Sequence, residues 1–295
     1  IILKVTVTDG DGDTAEQSVT VNTVAGPLFN DAPSGGSSVV TTDEGNIPGM
    51  GSQHETSATQ PFGAATDGSF KMELHGADAT VSIGGTELKV ENGKLYHNGV
   101  EVTADAAVSV PGGAHGTLTV TGMDADGTVH YTYTLTTPVD ATGNASNRPG
   151  EGDAGRGEAV HADAFDVSIT TTGGTATGQI TVDALDDAPV LSTLDTTQTT
   201  VADGEAALTG TLSFTPGADA EGAQVTVEVE GQTFTGTKGE NGWTFTGGSD
   251  GSSFQLNGTA FTYTRPASNT TDGRNDTIIL KVTVTDGDGD TAEQS

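Results

Sequence analysis

Hydrophobic and polar residues alternate along much of this chain. In LKVTVT, Leu3, Val5 and Val7 fall on one side and Lys4, Thr6 and Thr8 on the other, the period-two pattern of a strand with one buried face. SVTVNTV repeats the pattern with Val19 and Val21, so 5–21 predicts a hairpin whose loop is the run DGDGD at 9–13. GTLTVTG, VHYTYTLTT, FDVSITTTGGTATGQITVD, QVTVEVEGQTFTG, GWTFTGG and TAFTYTR behave similarly. Turn residues punctuate these runs about every 8–12 positions, the spacing of antiparallel β-sandwiches. No segment carries the spacing of an amphipathic helix. Residues 142–163, TGNASNRPGEGDAGRGEAVHAD, show no period and are expected to form a long polar loop.

The chain also repeats itself. Residues 1–18 and 278–295 are identical, an offset of 277 positions (278 minus 1). Such identity reads as tandem duplication, with this segment holding one unit and the overlap into its neighbour. Within the unit, FNDAPSGG at 29–36 and LDDAPVLS at 185–192 share an Asp-Ala-Pro core after an alternating run. Proline has no N–H to give a sheet and restricts the residue before it, so both sites read as domain junctions. The expected organisation is a C-terminal hairpin of a preceding repeat at 1–30, a sandwich at 31–187 that includes the loop 142–163, and a second sandwich at 188–295 with its last strand cut off. The expected class is all-β, tandem immunoglobulin-like or cadherin-like antiparallel β-sandwiches.

Charge changes the picture from fold to chemistry. Forty-one acidic residues face 10 basic ones, a formal net charge of −31. That balance repels nucleic acid and anionic membranes and attracts multivalent cations. Aromatic residues make up 5% of the chain, and it has no cysteine, so a thin core must be held by something other than disulfides, or the chain lives in the cytosol. No apolar run approaches the roughly 20 residues of a membrane helix. The chain opens in mid-strand at Ile1, which reads as an internal segment whose targeting signals lie elsewhere.

Asp9, Asp11 and Asp13, with their copies Asp286, Asp288 and Asp290, place carboxylates at alternate positions of a hairpin tip. A tight hairpin needs only two turn residues, and three neighbouring carboxylates repel one another. Hard oxygen ligands separated by glycine are what calcium selects. An EF-hand is excluded, because no helices flank the run and the twelfth position from Asp9 is Thr20; the nonapeptide of calcium β-helices is missing too. The plain alternative is a soluble turn. The junctions favour the ion: VDALDDAP sets Asp183, Asp186 and Asp187 at a boundary, and Asn30 and Asp31 form a shorter counterpart. Asp124 and Asp126, Asp43 and Glu44, and Asp219 and Glu221 sit in loops able to bring further carboxylates to a sandwich end. VDALDDAP resembles the cadherin linker, in which carboxylates of adjoining domains hold calcium and stiffen the joint.

TVTDGDGDTAEQSVTV, DDAPVL, GTLSFTPGADAEGAQVTV and YTYTLTTPVDATGN together resemble the repeats of giant bacterial RTX adhesins exported by type I secretion. The resemblance implies tandem extender sandwiches with Ca2+ at their junctions, forming a stalk on the bacterial cell surface that supports adhesion and biofilm formation. Its implied partners are neighbouring repeats and a surface or matrix polysaccharide. It also accounts for the missing cysteine, since calcium would staple the chain after export. Two features depart from the pattern: TTTGGTAT at 170–177 stands where an acidic tip is expected, and 142–163 is long and charged.

Rival classes have less to draw on. The six histidines, His54, His75, His97, His115, His130 and His161, show no metal-ligand spacing, and His130 lies in an alternating run that suits a surface or cross-strand role. There is no G-x-S-x-G elbow and no cysteine nucleophile, so the chain is not expected to be an enzyme. A carbohydrate-binding sandwich would present an aromatic platform, but Trp243 and Phe245 share one face and read as core, as do Tyr131 and Tyr133 on theirs. A self-assembling fibre whose subunits exchange end strands remains a further alternative.

Overall fold

A computed structural model describes residues 2–8, 14–20, 25–30, 37–51, 64–139, 156–196, 207–240, 242–249, 251–265 and 278–295. Asp9, Asp11, Asp13 and Asp31 lie outside them, as does the side chain of Asn30. The chain opens with a two-stranded sheet, β1 (Ile2–Thr8) and β2 (Thr14–Thr20), paired antiparallel.

The first sandwich follows as β3 (Leu28–Asn30), β4 (Ser37–Asp43), β5 (Ala65–Glu73), β6 (Ala79–Ile83), β7 (Thr86–Glu91), β8 (Lys94–His97), β9 (Val100–Glu101), β10 (Val108–Val110), β11 (Gly116–Met123), β12 (Thr128–Leu135), β13 (Arg156–Thr171) and β14 (Gly174–Asp187). One sheet has the order β10-β11-β12-β5-β3 and the other β4-β14-β13-β6-β7-β8-β9. β4 runs parallel to β14, while the other pairs are antiparallel. β3 pairs with β5, so residues 28–30 extend the first sandwich's sheet.

The second sandwich comprises β15 (Val190–Thr196), β16 (Ala207–Thr215), β17 (Gln224–Val229), β18 (Gln232–Gly239), β19 (Gly242–Gly247), β20 (Ser253–Asn257), β21 (Ala260–Thr264), β22 (Leu280–Thr285) and β23 (Thr291–Gln294). Its sheets read β15-β16-β21-β20 and β19-β18-β17-β22-β23. In chain order this is A-B-E-D against C″-C′-C-F-G, the arrangement of a variable-type immunoglobulin domain. The same lettering fits the first sandwich, with β4 as the strand that crosses over to lie parallel to G. The chain is therefore all-β, with tandem immunoglobulin-like sandwiches.

Period-two alternation fills the space between the sheets. In β12, Val129, Tyr131, Tyr133 and Leu135 are buried and the residues between them are not. They pack with Phe70, Phe165 and Ile180 in one core. The second core gathers Val225, Val227, Phe234, Phe254, Phe261 and Val282. Trp243 and Phe245 pack against that second core, and Trp243 meets Phe214 edge to face at 5.2 Å. Each fully buried Val, Leu or Phe contributes about 1.5–3 kcal/mol. The TTTGGTAT stretch is the tip joining β13 to β14, with Thr171 opposite Gly174.

One expectation is corrected in part, since 142–155 lie outside the described residues. The loop expected over 142–163 is already strand from Arg156 onward, because β13 is 16 residues long. Its pairing with β14 shifts register between Arg156 and Ala159 and again between His161 and Asp163. Each bulge adds a residue on one strand and breaks the alternation, so the sequence there loses its period while the strand continues. The second bulge also turns Asp163 inward, where it is 6% exposed.

Candidate metal centre

β14 ends at Asp187 and β15 begins at Val190, leaving only Ala188 and Pro189 between the sandwiches. Both are buried. A link that short presses the end of β14 against the loops of the second sandwich. The Asp187 carboxylate crosses the joint, its Oδ2 accepting the Ala218 N–H at 2.9 Å. Asp186 points the other way from the strand yet is 1% exposed, because the second sandwich covers it.

Three further segments converge on this point. β4 runs into a single 3-10 turn at Glu44–Asn46, where Asp43 Oδ1 caps the turn by accepting the Gly45 N–H at 3.0 Å. Glu44 is completely buried, and its Oε1 accepts the Val139 N–H at 2.6 Å. The loop between β16 and β17 contributes Asp219. The tip between β22 and β23 contributes Asp286, Asp288 and Asp290, and folds around its own first carboxylate: Asp286 Oδ1 accepts N–H groups from Gly289 at 3.0 Å and Asp290 at 2.7 Å. This tip lies flat on the neighbouring loop, with the Gly287 N–H donating to the Asp219 carbonyl at 2.7 Å. A Cβ at 287 would stand 2.2 Å from the Glu221 carbonyl oxygen, so only glycine permits the approach.

The outcome is a nest of buried and half-buried carboxylates. One carboxylate oxygen from each of Glu44, Asp186 and Asp219 lies within 4.8 Å of the others. Oxygens bound to a common calcium at about 2.4 Å are separated by at most about 4.8 Å, so the three fit one coordination sphere. Glu44 Oε2, both oxygens of Asp186, Asp286 Oδ2, Asp288 Oδ1 and Asp290 Oδ2 are buried and accept no hydrogen bond among the described residues. Buried acceptors ordinarily find a donor, and a buried charge without one costs several kcal/mol. Burial pushes the Glu44 carboxyl up to about 9, with the Asp219 charge adding to the effect. Burial likewise pushes Asp186 up to about 8, helped by Asp288 and Asp290. Asp286 and Asp290 are raised too, in each case by burial first and by Asp288 next. Like charges crowded in a dry site hold protons in the absence of a cation.

The remaining candidate residues lie elsewhere. Asp183 faces outward on β14 and meets the His161 Nδ1 at 3.3 Å. Asp124 pairs with His130 at 2.8 Å and Asp126 with Lys71 at 3.0 Å. Their turn bonds to Met72 at the C-terminal end of β5, whereas Thr66 at its other end bonds to the Thr41 carbonyl beside β14. Glu221 is exposed and lines a groove of about 1060 Å³ beside the centre, with Met50, His115, Pro216 and Lys238.

Sequence reasoning missed Asp163. Its carboxylate accepts the N–H groups of Ala114, His115 and Gly116 at 2.6, 3.2 and 3.1 Å and the Tyr133 hydroxyl. Burial and that carboxylate keep the Tyr133 hydroxyl protonated far above its ordinary range. Asp163 therefore pins one loop. It lay in a stretch without period, and nothing local marked it.

No protein-family model matches this chain, and no curated protein matches it. Among solved structures it is similar to titin A168169, at 10% identity over 91% of this chain and 95% of that one, with a TM-score of 0.28. It is also similar to a Ca2+-stabilized adhesin that helps an Antarctic bacterium reach out and bind ice, at 18% identity over 99% of this chain and 79% of that one, with a TM-score of 0.20. A third is the zebrafish RET structure of cadherin-like domains 1 to 4, at 10% identity over 99% of this chain and 56% of that one, with a TM-score of 0.26. Scores this low carry no argument about function.

Proposed function

We propose that this chain is a pair of extender modules from the stalk of a large bacterial cell-surface adhesin, and that Ca2+ bound between the sandwiches makes the joint rigid. One observation carries the reading: Glu44 and Asp186 of the first sandwich and Asp286 of the second are buried beside the half-buried Asp219, Asp288 and Asp290, and buried oxygens of Glu44, Asp186, Asp286, Asp288 and Asp290 accept no hydrogen bond among the described residues. Glu44 and Asp186 come from the first sandwich; Asp219, Asp286, Asp288 and Asp290 come from the second. Together they offer six or more hard oxygens, the number and type calcium takes. The ion would neutralise the mutual repulsion and tie the two bodies at one point. The motif resemblance supports the finer assignment to RTX adhesins exported by type I secretion, with adhesion and biofilm formation as the role of the whole protein. On this reading the chain folds and stiffens after export, in the calcium of the extracellular space.

The test is a thermal melt in EDTA and in about 2 mM calcium, with magnesium as control. A ligand at 100 times its Kd adds about 2.7 kcal/mol of stability, so a site of ~10 μM produces a clear rise in the midpoint. A rise with calcium that magnesium does not reproduce, and that Glu44→Gln and Asp186→Asn both remove, supports the centre. An unchanged midpoint refutes it.

A further inference from the structure

The two oxygens of Glu44 have different surroundings. Oε1 accepts the Val139 N–H at 2.6 Å, and Oε2 is the buried one that accepts nothing among the described residues. One backbone N–H thus occupies one oxygen and leaves the other for an ion, and the direction of that N–H helps to set where the carboxylate stands.

Val139 lies past the end of β12, in a segment that joins no sheet. Residues 136–139 follow Leu135, and Pro138 has no N–H to give a ladder. Backbone groups of such a segment need partners from side chains or other loops. The Thr136 and Thr137 N–H groups both donate to the His115 carbonyl, at 2.9 and 3.1 Å, and their hydroxyls do so at 3.0 and 3.2 Å. The His115 Nδ1 donates to the Pro138 carbonyl at 2.6 Å. That carbonyl and the Val139 N–H belong to one peptide unit, which is planar and, like every described peptide here, trans. Its C=O and N–H point in opposite directions, so the imidazole that holds one end aims the other at Glu44. His115 is itself fixed, because its own N–H and those of Ala114 and Gly116 donate to the buried Asp163 carboxylate.

Resting on the calcium reading above, we propose that His115 is a positioning residue of the metal centre: it fixes the Pro138–Val139 peptide, and that peptide fixes Glu44 for the ion. Groups that orient a metal ligand from behind commonly carry about 10–100-fold of the metal affinity. Every member of this relay belongs to the first sandwich, so the second sandwich meets a Glu44 that is already oriented.

The test compares His115→Ala with His115→Asn, whose amide nitrogen stands near the place of Nδ1 and can donate in its stead. Calcium affinity is read by isothermal titration calorimetry. His115→Ala should weaken it by about 10–100-fold, and His115→Asn should stay within about threefold of the parent. A second reading needs no metal. Hydrogen exchange at the Val139 amide in EDTA should be about tenfold faster in His115→Ala and near the parent rate in His115→Asn. The amides of β6, Ala79–Ile83, report on the fold and should stay protected in all three proteins. Parent affinity in His115→Ala, affinity in His115→Asn as weak as in His115→Ala, or an unchanged Val139 amide each overturns the proposal. A parent that binds no calcium refutes the metal centre and, with it, the role of His115 toward the ion. An unchanged Val139 amide in a parent that does bind calcium refutes the relay alone.

Discussion

At the scale of single residues, the junction carboxylates set the sign of the response to pH. Glu44 and Asp186 hold protons in the folded chain up to about 9 and 8, against an ordinary carboxylate value near 4. Between those limits the metal-free fold binds protons that the unfolded chain has released, so its stability falls as pH rises and flattens only above about 9. On the proposed function, calcium would reverse this, since the ion would compete with those protons and its affinity would climb over the same window. Asp186→Asn separates the two effects. At pH 8 in EDTA the variant should melt higher than the parent, by about 1 kcal/mol or ~3 °C, because a buried repulsive charge is gone. In calcium it should melt lower, because a ligand is gone. Calorimetry in both buffers checks it; shifts of the same sign would mean that Asp186 does not serve the ion.

Among the elements, β13 shows how far local pattern reaches. Its second half alternates and was legible; its first half carries two bulges and was not. The bulge before Asp163 places one carboxylate under three backbone N–H groups of another loop, a contact spanning about 50 positions of sequence. Asp163→Ala strands those donors, and a stranded buried donor costs about 1–3 kcal/mol. The first sandwich should lose about 3 kcal/mol and its melting transition should fall by about 6–12 °C, on the order expected for a domain of this size. The transition of the second sandwich should stay in place. A drop shared by both would mean that the two sandwiches unfold as one body, and no drop would mean that the loop is held by something else.

On the scale of the whole molecule, the two-residue link and the shared centre decide how the sandwiches move. Seven carboxyl groups gather at one joint, Glu44, Asp186, Asp187, Asp219, Asp286, Asp288 and Asp290, and those that remain ionised push the bodies apart when no cation holds them. Spin labels on Val100→Cys and Glu240→Cys, both exposed and one on each sandwich, would read the joint directly. The distance distribution should be narrow in calcium and several-fold broader in EDTA. Asp186→Asn should be broad in both. Equal widths with and without calcium would show that the Ala188–Pro189 link is stiff enough alone.

The sequence by itself determined the strands, their inward faces, the hairpin tips and the chemistry on offer. Strand alternation and turn residues act over a few positions, so LKVTVT and GWTFTGG declare their faces without reference to the rest of the chain. Every carboxylate of the junction was also legible as a candidate, because Asp-Gly-Asp runs and Asp-Asp-Ala-Pro stops are local signals. The tertiary structure alone decided which candidates meet. Carboxylate oxygens of Glu44, Asp186 and Asp219 are brought within 4.8 Å of one another, while Asp183, three positions earlier, is half-exposed beside His161, and Asp124 and Asp126 pair with His130 and Lys71 at the far end of β5. Convergence of distant loops and coverage by a neighbouring strand are products of packing, and no local pattern encodes them.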